Sequence, residues 1–433
     1  MNPPSFLLSF FLVLTYFTSC LGVYHEKNSH TVSYHSLPAS SSLLYRKSRT
    51  WNRHRQQARG YASSVNVDEF GAKADGSDDS EAFKKAWNKG CSSSGDVVII
   101  VPKNRMYTLK PVTFSGPCKS RIIFKIHGTI KASAKTADYA RDRSHWIVFQ
   151  NVENFRVKGG GTINGSGKIW WKNSCKINES LPCIGAPTAV TFDECKNLIV
   201  SNLKFLNAQQ MHLSFEKCLN VRALNLLVIA PEKSPNTDGI HVTGTQNIRI
   251  QNCVIRTGDD CISIVSGSKN VQATDITCGP GHGISIGSLG AGKQEARVSN
   301  VFVNRATLSG TTNGVRIKTW QGGSGFAKNI VFQNIALNNV SNPIIINQNY
   351  CDQKEPCKEQ RSAVQVSNVM YRNIVGTSAS EVAVKFDCSK TFPCRGVVLQ
   401  NINLNSQESG ERATASCDNV NFAKRGSVSP QCS

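Results

Sequence analysis

Four short segments between residues 236 and 320 repeat one pattern: Asp238-Gly-Ile-His-Val, Asp260-Cys-Ile-Ser-Ile, His282-Gly-Ile-Ser-Ile and Asn313-Gly-Val-Arg-Ile. Asp238 and Asp260 are 22 residues apart, Asp260 and His282 again 22, and the step to Asn313 is 31. A recurring period of this length is the mark of a solenoid. Residues one period apart share an azimuth on neighbouring coils, and stacked strands lie ~4.8 Å apart. Alternation along each strand turns Ile240, Val242, Ile262, Ile264, Ile284, Ile286, Val315 and Ile317 inward. It turns His241, Ser263, Ser285 and Arg316 outward as a column, with Lys318 on the same face. Strict alternation would also bury Asp238, Asp260 and His282. They stand at strand starts, where a turn breaks the alternation, and the cost of burying charge directs them outward. Three carboxylates (Asp238, Asp259, Asp260), His282, Arg316 and Lys318 therefore converge on one outer face.

The same architecture is legible over most of the chain. From about residue 97 to 405, Asn followed by apolar-x-apolar recurs at Asn154, Asn197, Asn220, Asn247, Asn270, Asn300, Asn329, Asn368 and Asn401. Asn tolerates the left-handed backbone that a coil turn needs. Short β-branched strands without helical periodicity indicate an all-β chain, and the repeat indicates a parallel β-helix. Folded structure is expected from Val65. Asp75-Gly-Ser-Asp-Asp79 reads as a turn with N-cap chemistry, followed by a helix with Ala82, Phe83, Ala86 and Trp87 on one face and Gly90 at its end. That helix is expected to cap the open N-terminal end of the solenoid, which would otherwise present free strand edges. The polar tail from Ser406 is expected to cover the other end.

Residues 6–22 are an apolar run ending in small residues, and 1–22 reads as a secretory signal peptide rather than a membrane anchor. Residues 23–64 are polar and then basic (Arg46, Lys47, Arg49, Arg53, Arg55, Arg59), as in a disordered arm or a removable pro-segment. The catalytic domain is expected over 65–433. A net charge of +21 calls for a polyanionic partner. Aromatics are not interleaved with the basic residues as a nucleic-acid platform requires, which favours an acidic polysaccharide. The 16 Cys suit an oxidising compartment. Proximity suggests, without fixing, the pairs Cys91–Cys118, Cys175–Cys183, Cys261–Cys278, Cys351–Cys357, Cys388–Cys394 and Cys417–Cys432, leaving Cys195, Cys218 and Cys253 as buried thiols. Asn164, Asn178 and Asn339 head possible glycosylation sequons.

Clustered carboxylates suit glycoside hydrolysis, which needs one protonated and one ionised carboxyl group. Crowding raises one pKa, and that group becomes the acid. Arg316 and Lys318 would pair with carboxylates on a sugar substrate. A divalent ion held by Asp238, His241, Asp259, Asp260 and His282 is a weaker reading, since no dense ligand spacing appears.

Asn236-Thr-Asp-Gly239, Gly258-Asp-Asp260, Gly281-His-Gly283 and Arg316-Ile-Lys318 resemble, in order and spacing, the four signature motifs of polygalacturonases, glycoside hydrolase family 28. Phe70–Gly76, Gly161–Gly165 with Trp170-Trp171, the Cys175/Cys183 loop and Gln348-Asn-Tyr350-Cys resemble the plant branch. The resemblance runs from about Val65 to the C-terminus. It implies a right-handed parallel β-helix and inverting hydrolysis of α-1,4 bonds in homogalacturonan (pectin), without cofactor or metal, by a monomer with no stable membrane association in the plant cell wall; endo action is the reading taken, with an exo-polygalacturonase or another pectin hydrolase as its alternative. By motif, Asp259 resembles the general acid and Asp238 and Asp260 the residues that position and activate water. His282 resembles a group that tunes the acid, Arg316 and Lys318 the binders of the galacturonate carboxylate, Tyr350 a further subsite residue and Asn236 a residue shaping the first turn. Asn164 and Asn207-Ala-Gln-Gln210 depart from the family pattern, outside the four motifs. The long basic N-terminal region is similar to that of polygalacturonases acting in cell separation. A calcium-dependent pectate lyase, a rhamnogalacturonan hydrolase and a non-catalytic wall-binding solenoid are the competing readings.

Overall fold

The computed structural model describes residues 63–352, 355, 357–407 and 412–432. The expected signal peptide over 1–22 and nearly all of the basic segment over 23–64 lie outside the described residues. Two long sheets run through the rest, one of 16 strands and one of 11, among the described residues. Consecutive coils are neighbours in each sheet, and the strand pairings are parallel throughout the site region. The chain is a right-handed parallel β-helix.

Inward residues stack in register from coil to coil. Ile240, Ile262, Ile284, Val315 and Ile344 form one column. Val242, Ile264, Ile286, Ile317 and Ile346 form a second, and every member of both is fully buried. At the N-terminal end the filling is aromatic, with Phe149, Phe192 and Phe215 stacked face to face about 5 Å apart. Helix α1 (Ser80–Ser92) closes that end. Its Trp87 packs against Phe114, Phe124, Phe149 and Phe155 and donates Nε1–H to the Ser115 carbonyl at 3.0 Å.

The coil turns are built on asparagine. Asn154, Asn197, Asn220, Asn247, Asn270, Asn300, Asn329 and Asn368 all have φ near +55°. Each amide donates to the preceding one, from Asn197 on Asn154 (3.1 Å) to Asn368 on Asn329 (3.3 Å). Asn401 belongs to a different column. It donates to Asn373, in a second ladder that also holds Asn202, Asn225, Asn252 and Asn334. This second ladder lies five residues beyond the first on each strand and was hidden by its variable members, Asp275 and Arg305, which form an ion pair there instead. Asn247 both donates to Asn220 and accepts from Asn270. Asn247→Ala is expected to lower unfolding free energy by about 2 kcal/mol, from left-handed strain and lost hydrogen bonds. Asn247→Gly should recover the backbone share only. Denaturant unfolding checks this, and equal losses in the two variants would exclude the strain contribution.

Two local expectations are corrected, those for Gly90 and for the C-terminal tail, while the turn before the helix supplies its cap as expected. Gly90 does not end α1, which continues to Ser92. The glycine lies where a Cβ would come within 3.0 Å of the Ile99 side chain, so it serves packing rather than termination. At the start of the helix, the carboxylate that caps Ser80 is that of Asp78. Asp79 instead accepts from the Lys73, Ala74 and Thr108 amides. The polar tail is not a cover laid over the solenoid: Thr414–Asp418 and Val420–Ser429 extend both sheets as a last coil. It is polar because its outer side has no coil to pack on. All six suggested disulfides are present, and Cys195, Cys218 and Cys253 are free and buried. No helix among the described residues is long and apolar enough to cross a membrane.

Candidate active site

Five strands of the smaller sheet carry the site: β1 (Ile240–Thr243), β2 (Ile262–Ile264), β3 (Ile284–Leu289), β4 (Asn313–Trp320) and β5 (Asn342–Tyr350). Their pairing sets His241 opposite Ser263, Ser263 opposite Ser285 and Ser285 opposite Arg316. This is the outer column expected from the period. Asp238, Asp259, Asp260 and His282 stand in the turns before β1, β2 and β3. Asn236 makes the first turn with φ +56°, and the Thr237 hydroxyl accepts the Gly258 amide at 2.9 Å, tying that turn to the next. The Gly-His-Gly sequence has a steric cause. Gly283 has φ +85°, and a Cβ there would lie 2.0 Å from the Asn313 carbonyl oxygen. Gly283→Ala is therefore expected to lower stability by at least about 2 kcal/mol and to displace His282. Thermal unfolding together with the His282 proton resonances checks this, and an unmoved imidazole would refute it.

The side chains converge on a cleft of about 400 Å³. Asp260 is its buried centre, 2% exposed. One carboxylate oxygen accepts from Ser285 Oγ at 2.7 Å and Arg316 Nη2 at 2.9 Å, and the other accepts from Lys318 Nζ at 3.0 Å. The two cations expected to face substrate thus also hold an internal carboxylate. Asp259 accepts from the Asp260 amide at 2.7 Å and lies 2.9 Å from His282 Nδ1. Asp238 accepts from Ser263 Oγ at 2.6 Å, and Ser263 in turn lies 2.7 Å from His241 Nδ1. Tyr350 sits edge-on to Trp320 with its ring 5.5 Å from Lys318 Nζ. Every site residue named from the sequence lines this cleft.

The proton affinities divide unexpectedly. Burial, with the nearby charges of Asp259 and Asp260, holds the Asp238 carboxyl well above its usual range. Burial also pushes Asp259 up, but the hydrogen bond and charge of His282, the charge of Lys318 and the hydrogen bond from the Asp260 amide together outweigh it and leave Asp259 lowered. Asp238 therefore holds a proton more readily than Asp259. Asp259, Asp260 and His282 offer one potential ligand atom each within 4.8 Å of one another, so a divalent ion could be tested there. Both Asp260 oxygens are already engaged by cations.

Several contributors escaped the sequence reading. Ser263 and Ser285 were visible as column members but not as carboxylate partners. His212 is fully buried, with Nδ1 3.0 Å from the Asp238 carbonyl and Nε2 3.4 Å from the Ala208 amide. It belongs to no repeat motif. Lys176 and Asp352 pair at 2.8 Å at the rim, 176 residues apart in sequence and without any local signal. Burial pushes His212 and His241 down to about 4. The unfolded chain therefore binds more protons than the folded one between about pH 6.5 and 4, and stability falls as pH drops through that window. Asp238 acts oppositely: its contribution is present below the ordinary carboxylate value and lost as pH rises through its raised pKa. His241→Asn is expected to flatten the acid limb of a stability–pH profile measured by urea unfolding, and an unchanged slope would refute the shift.

The family model described as "Glycosyl hydrolases family 28" matches residues 91–431. The chain is 61% identical to "Polygalacturonase QRT2" of Arabidopsis thaliana over 98% of each sequence. It is also 61% identical to "Polygalacturonase-2" of Solanum lycopersicum, over 85% of this chain and 80% of that one. The fold matches the solved polygalacturonase from Erwinia carotovora ssp. carotovora with a TM-score of 0.68 at 23% identity, covering 86% of this chain and 100% of the other. With the family model spanning most of the chain and the carboxylate cleft inside the matched region, the chain belongs to the glycosyl hydrolases of family 28.

Proposed function

We propose that this chain is a secreted plant polygalacturonase that hydrolyses α-1,4-galacturonosidic bonds within homogalacturonan, with inversion, in the cell wall during cell separation. The observation that carries the reading is the cleft itself. Three carboxyl groups stand beside two cations, which suits acid–base cleavage of a polymer that is itself an acid. The names of the relatives support the substrate, and the basic charge of the chain supports a polyanionic partner. Export by the leader over 1–22 and action as a monomer without cofactor complete the reading.

Asp259 is assigned as the general acid because it must reach the glycosidic oxygen. Its side chain is 19% exposed, against 12% for Asp238 and 2% for Asp260. Water attacks the anomeric carbon from the opposite face, positioned by Asp238 and Asp260, and one of these carboxylates takes its proton. The anomeric C–O bond breaks, and the Asp259 proton passes to the leaving oxygen. Among the protein's own groups Asp238 is the better proton holder. A bound polyuronate opposes ionisation of every neighbouring carboxyl, which loads Asp259 as well. His282 tunes that step through its contact with Asp259, and Tyr350 and Asn236 border the bound sugars.

The test is incubation with polygalacturonic acid, with and without a calcium chelator. New reducing ends without ultraviolet absorbance, indifferent to chelator, are expected, with an early viscosity drop marking cleavage inside the polymer. Calcium-dependent absorbance would mean a lyase, slow viscosity loss would mean action from chain ends, and binding without turnover would mean a wall-binding solenoid. Arg316→Ala is expected to weaken binding about tenfold or more on de-esterified pectin and less on methylated pectin. Equal losses would remove the carboxylate contact.

A further inference from the structure

The larger sheet carries a tract of one charge sign. Five strands that are neighbours in it, Ser120–Ile126, Arg156–Lys158, Lys196–Leu206, Leu219–Ile229 and Gln246–Arg256, hold nine Lys or Arg and no Asp or Glu. None of the nine is buried. Two are paired from outside the tract, Arg121 with Asp96 at 2.6 Å and Lys196 with Glu153 at 2.8 Å. The other seven have no carboxylate partner among the described residues.

The register sets like charges face to face. Lys125 stands directly opposite Lys158, and Arg222 directly opposite Arg249. Backbones so paired are only ~4.8 Å apart, and like charges directly opposite on adjacent strands destabilise a sheet. The chain carries that cost twice in one tract. Arg249 Nε–H reaches only the neutral Gln272, at 3.4 Å. An anion laid along the face would offset the repulsion. The tract is also bounded. In the column that holds Arg156, Arg222 and Arg249, the next outward residues are Gln272, Phe302 and Val331. On the strand beyond, Arg297 and Arg305 are paired with Glu295 and Asp275. Between the cations stand half-buried aliphatics, Ile123, Ile199, Leu224, Leu227 and Val254, and no outward aromatic ring. A single-stranded nucleic acid would need rings to stack on, and a lipid surface would need apolar side chains that enter it. Aliphatic strips between cations suit a polymer with C–H faces and a carboxylate on each unit.

We propose that this face is a second, non-catalytic binding surface for unesterified polyuronate. It is separate from the catalytic cleft, which the smaller sheet carries and which none of these residues lines. It holds the enzyme on the polymer matrix and raises the local concentration of chains at the cleft. The choice of polyuronate rests on the polygalacturonase reading of the cleft, whereas the preference for a polyanion rests on the tract's own charge.

The experiment measures binding of the full chain to immobilised polygalacturonic acid at ~0.15 M salt, in an Asp259→Asn background so that the matrix is not cut. The tract variant is Lys125→Gln/Lys158→Gln/Arg222→Gln/Arg249→Gln. The control, Lys85→Gln/Lys89→Gln/Arg395→Gln/Arg425→Gln, removes as much charge from exposed positions outside the five strands. The tract variant is expected to bind about tenfold or more weakly, and the control to stay within about twofold of its parent. A methyl-esterified matrix should bind the parent no better than the tract variant. With Asp259 restored, kcat/KM on a galacturonan trimer should be alike for all three chains. Equal weakening by tract and control variants would reduce the effect to net charge and overturn the surface, as would no weakening by the tract variant. Tighter binding of the parent to anionic phospholipid vesicles or single-stranded RNA than to polyuronate, lost in the tract variant, would overturn the choice of occupant. Should the fourfold variant fail to fold, the two opposed pairs replaced separately decide, each expected to weaken binding about threefold. Absence of turnover by wild type on any galacturonan would instead overturn the underlying functional reading, and the binding comparison does not depend on turnover.

Discussion

Asp259→Asn is expected to lower turnover of polygalacturonic acid by roughly 10³-fold or more while leaving the fold intact. The amide keeps the two contacts that define the position. Its oxygen can still accept from the Asp260 amide, and the side chain remains beside His282. Only the transferable proton is lost. Initial rates of reducing-end release, with circular dichroism and thermal unfolding as controls, measure this. Near-normal turnover by a folded variant would remove the acid role from Asp259 and pass it to Asp238, the carboxyl that burial and its acidic neighbours already hold protonated most readily.

The largest effect on stability is expected at Lys318. Its ammonium and the Arg316 guanidinium share one carboxylate, and the side chains of Lys318, Arg316 and Asp260 are 10%, 13% and 2% exposed. Lys318→Met leaves Asp260 with half its compensation in a site that water scarcely reaches. Unfolding free energy should fall by about 3 kcal/mol, and turnover should fall with it. The double variant Lys318→Met/Asp260→Asn removes the carboxylate as well and leaves the Arg316 guanidinium unpaired in the same water-poor site, so it should regain neither the stability nor the activity. If the single variant unfolds like wild type, the pair is solvated and its place at the core of the cleft is wrong. If the double variant regains activity, Lys318 serves Asp260 only and does not meet substrate.

Much of this was open to a reader of the residue order. The 22-residue step forced Asp238, Asp260 and His282 onto neighbouring coils, and the aliphatics between them fell on the buried columns as alternation required. The disulfides were legible because close spacing in a solenoid keeps partners on one loop or on adjacent coils. Corrections came where one residue had two possible uses. Gly90 could end a helix or admit a neighbour, and packing against Ile99 chose the second. Asn401 matched the first turn motif in letters and the second in space, since a strand long enough to carry two turns offers both.

The period of apolar residues and the turn-forming asparagines dictate the coil, and the coil dictates which chemistry-bearing residues can share a face. That inference needs only spacing, because a solenoid converts sequence distance directly into stacking distance. Pairing and protonation needed the tertiary structure. Whether Arg316 and Lys318 faced solvent or Asp260, and which carboxyl held a proton, depend on side chains from distant coils and loops meeting within about 3 Å. Hydrogen bonds and desolvation change steeply over such distances, and no periodic pattern in the sequence encodes them.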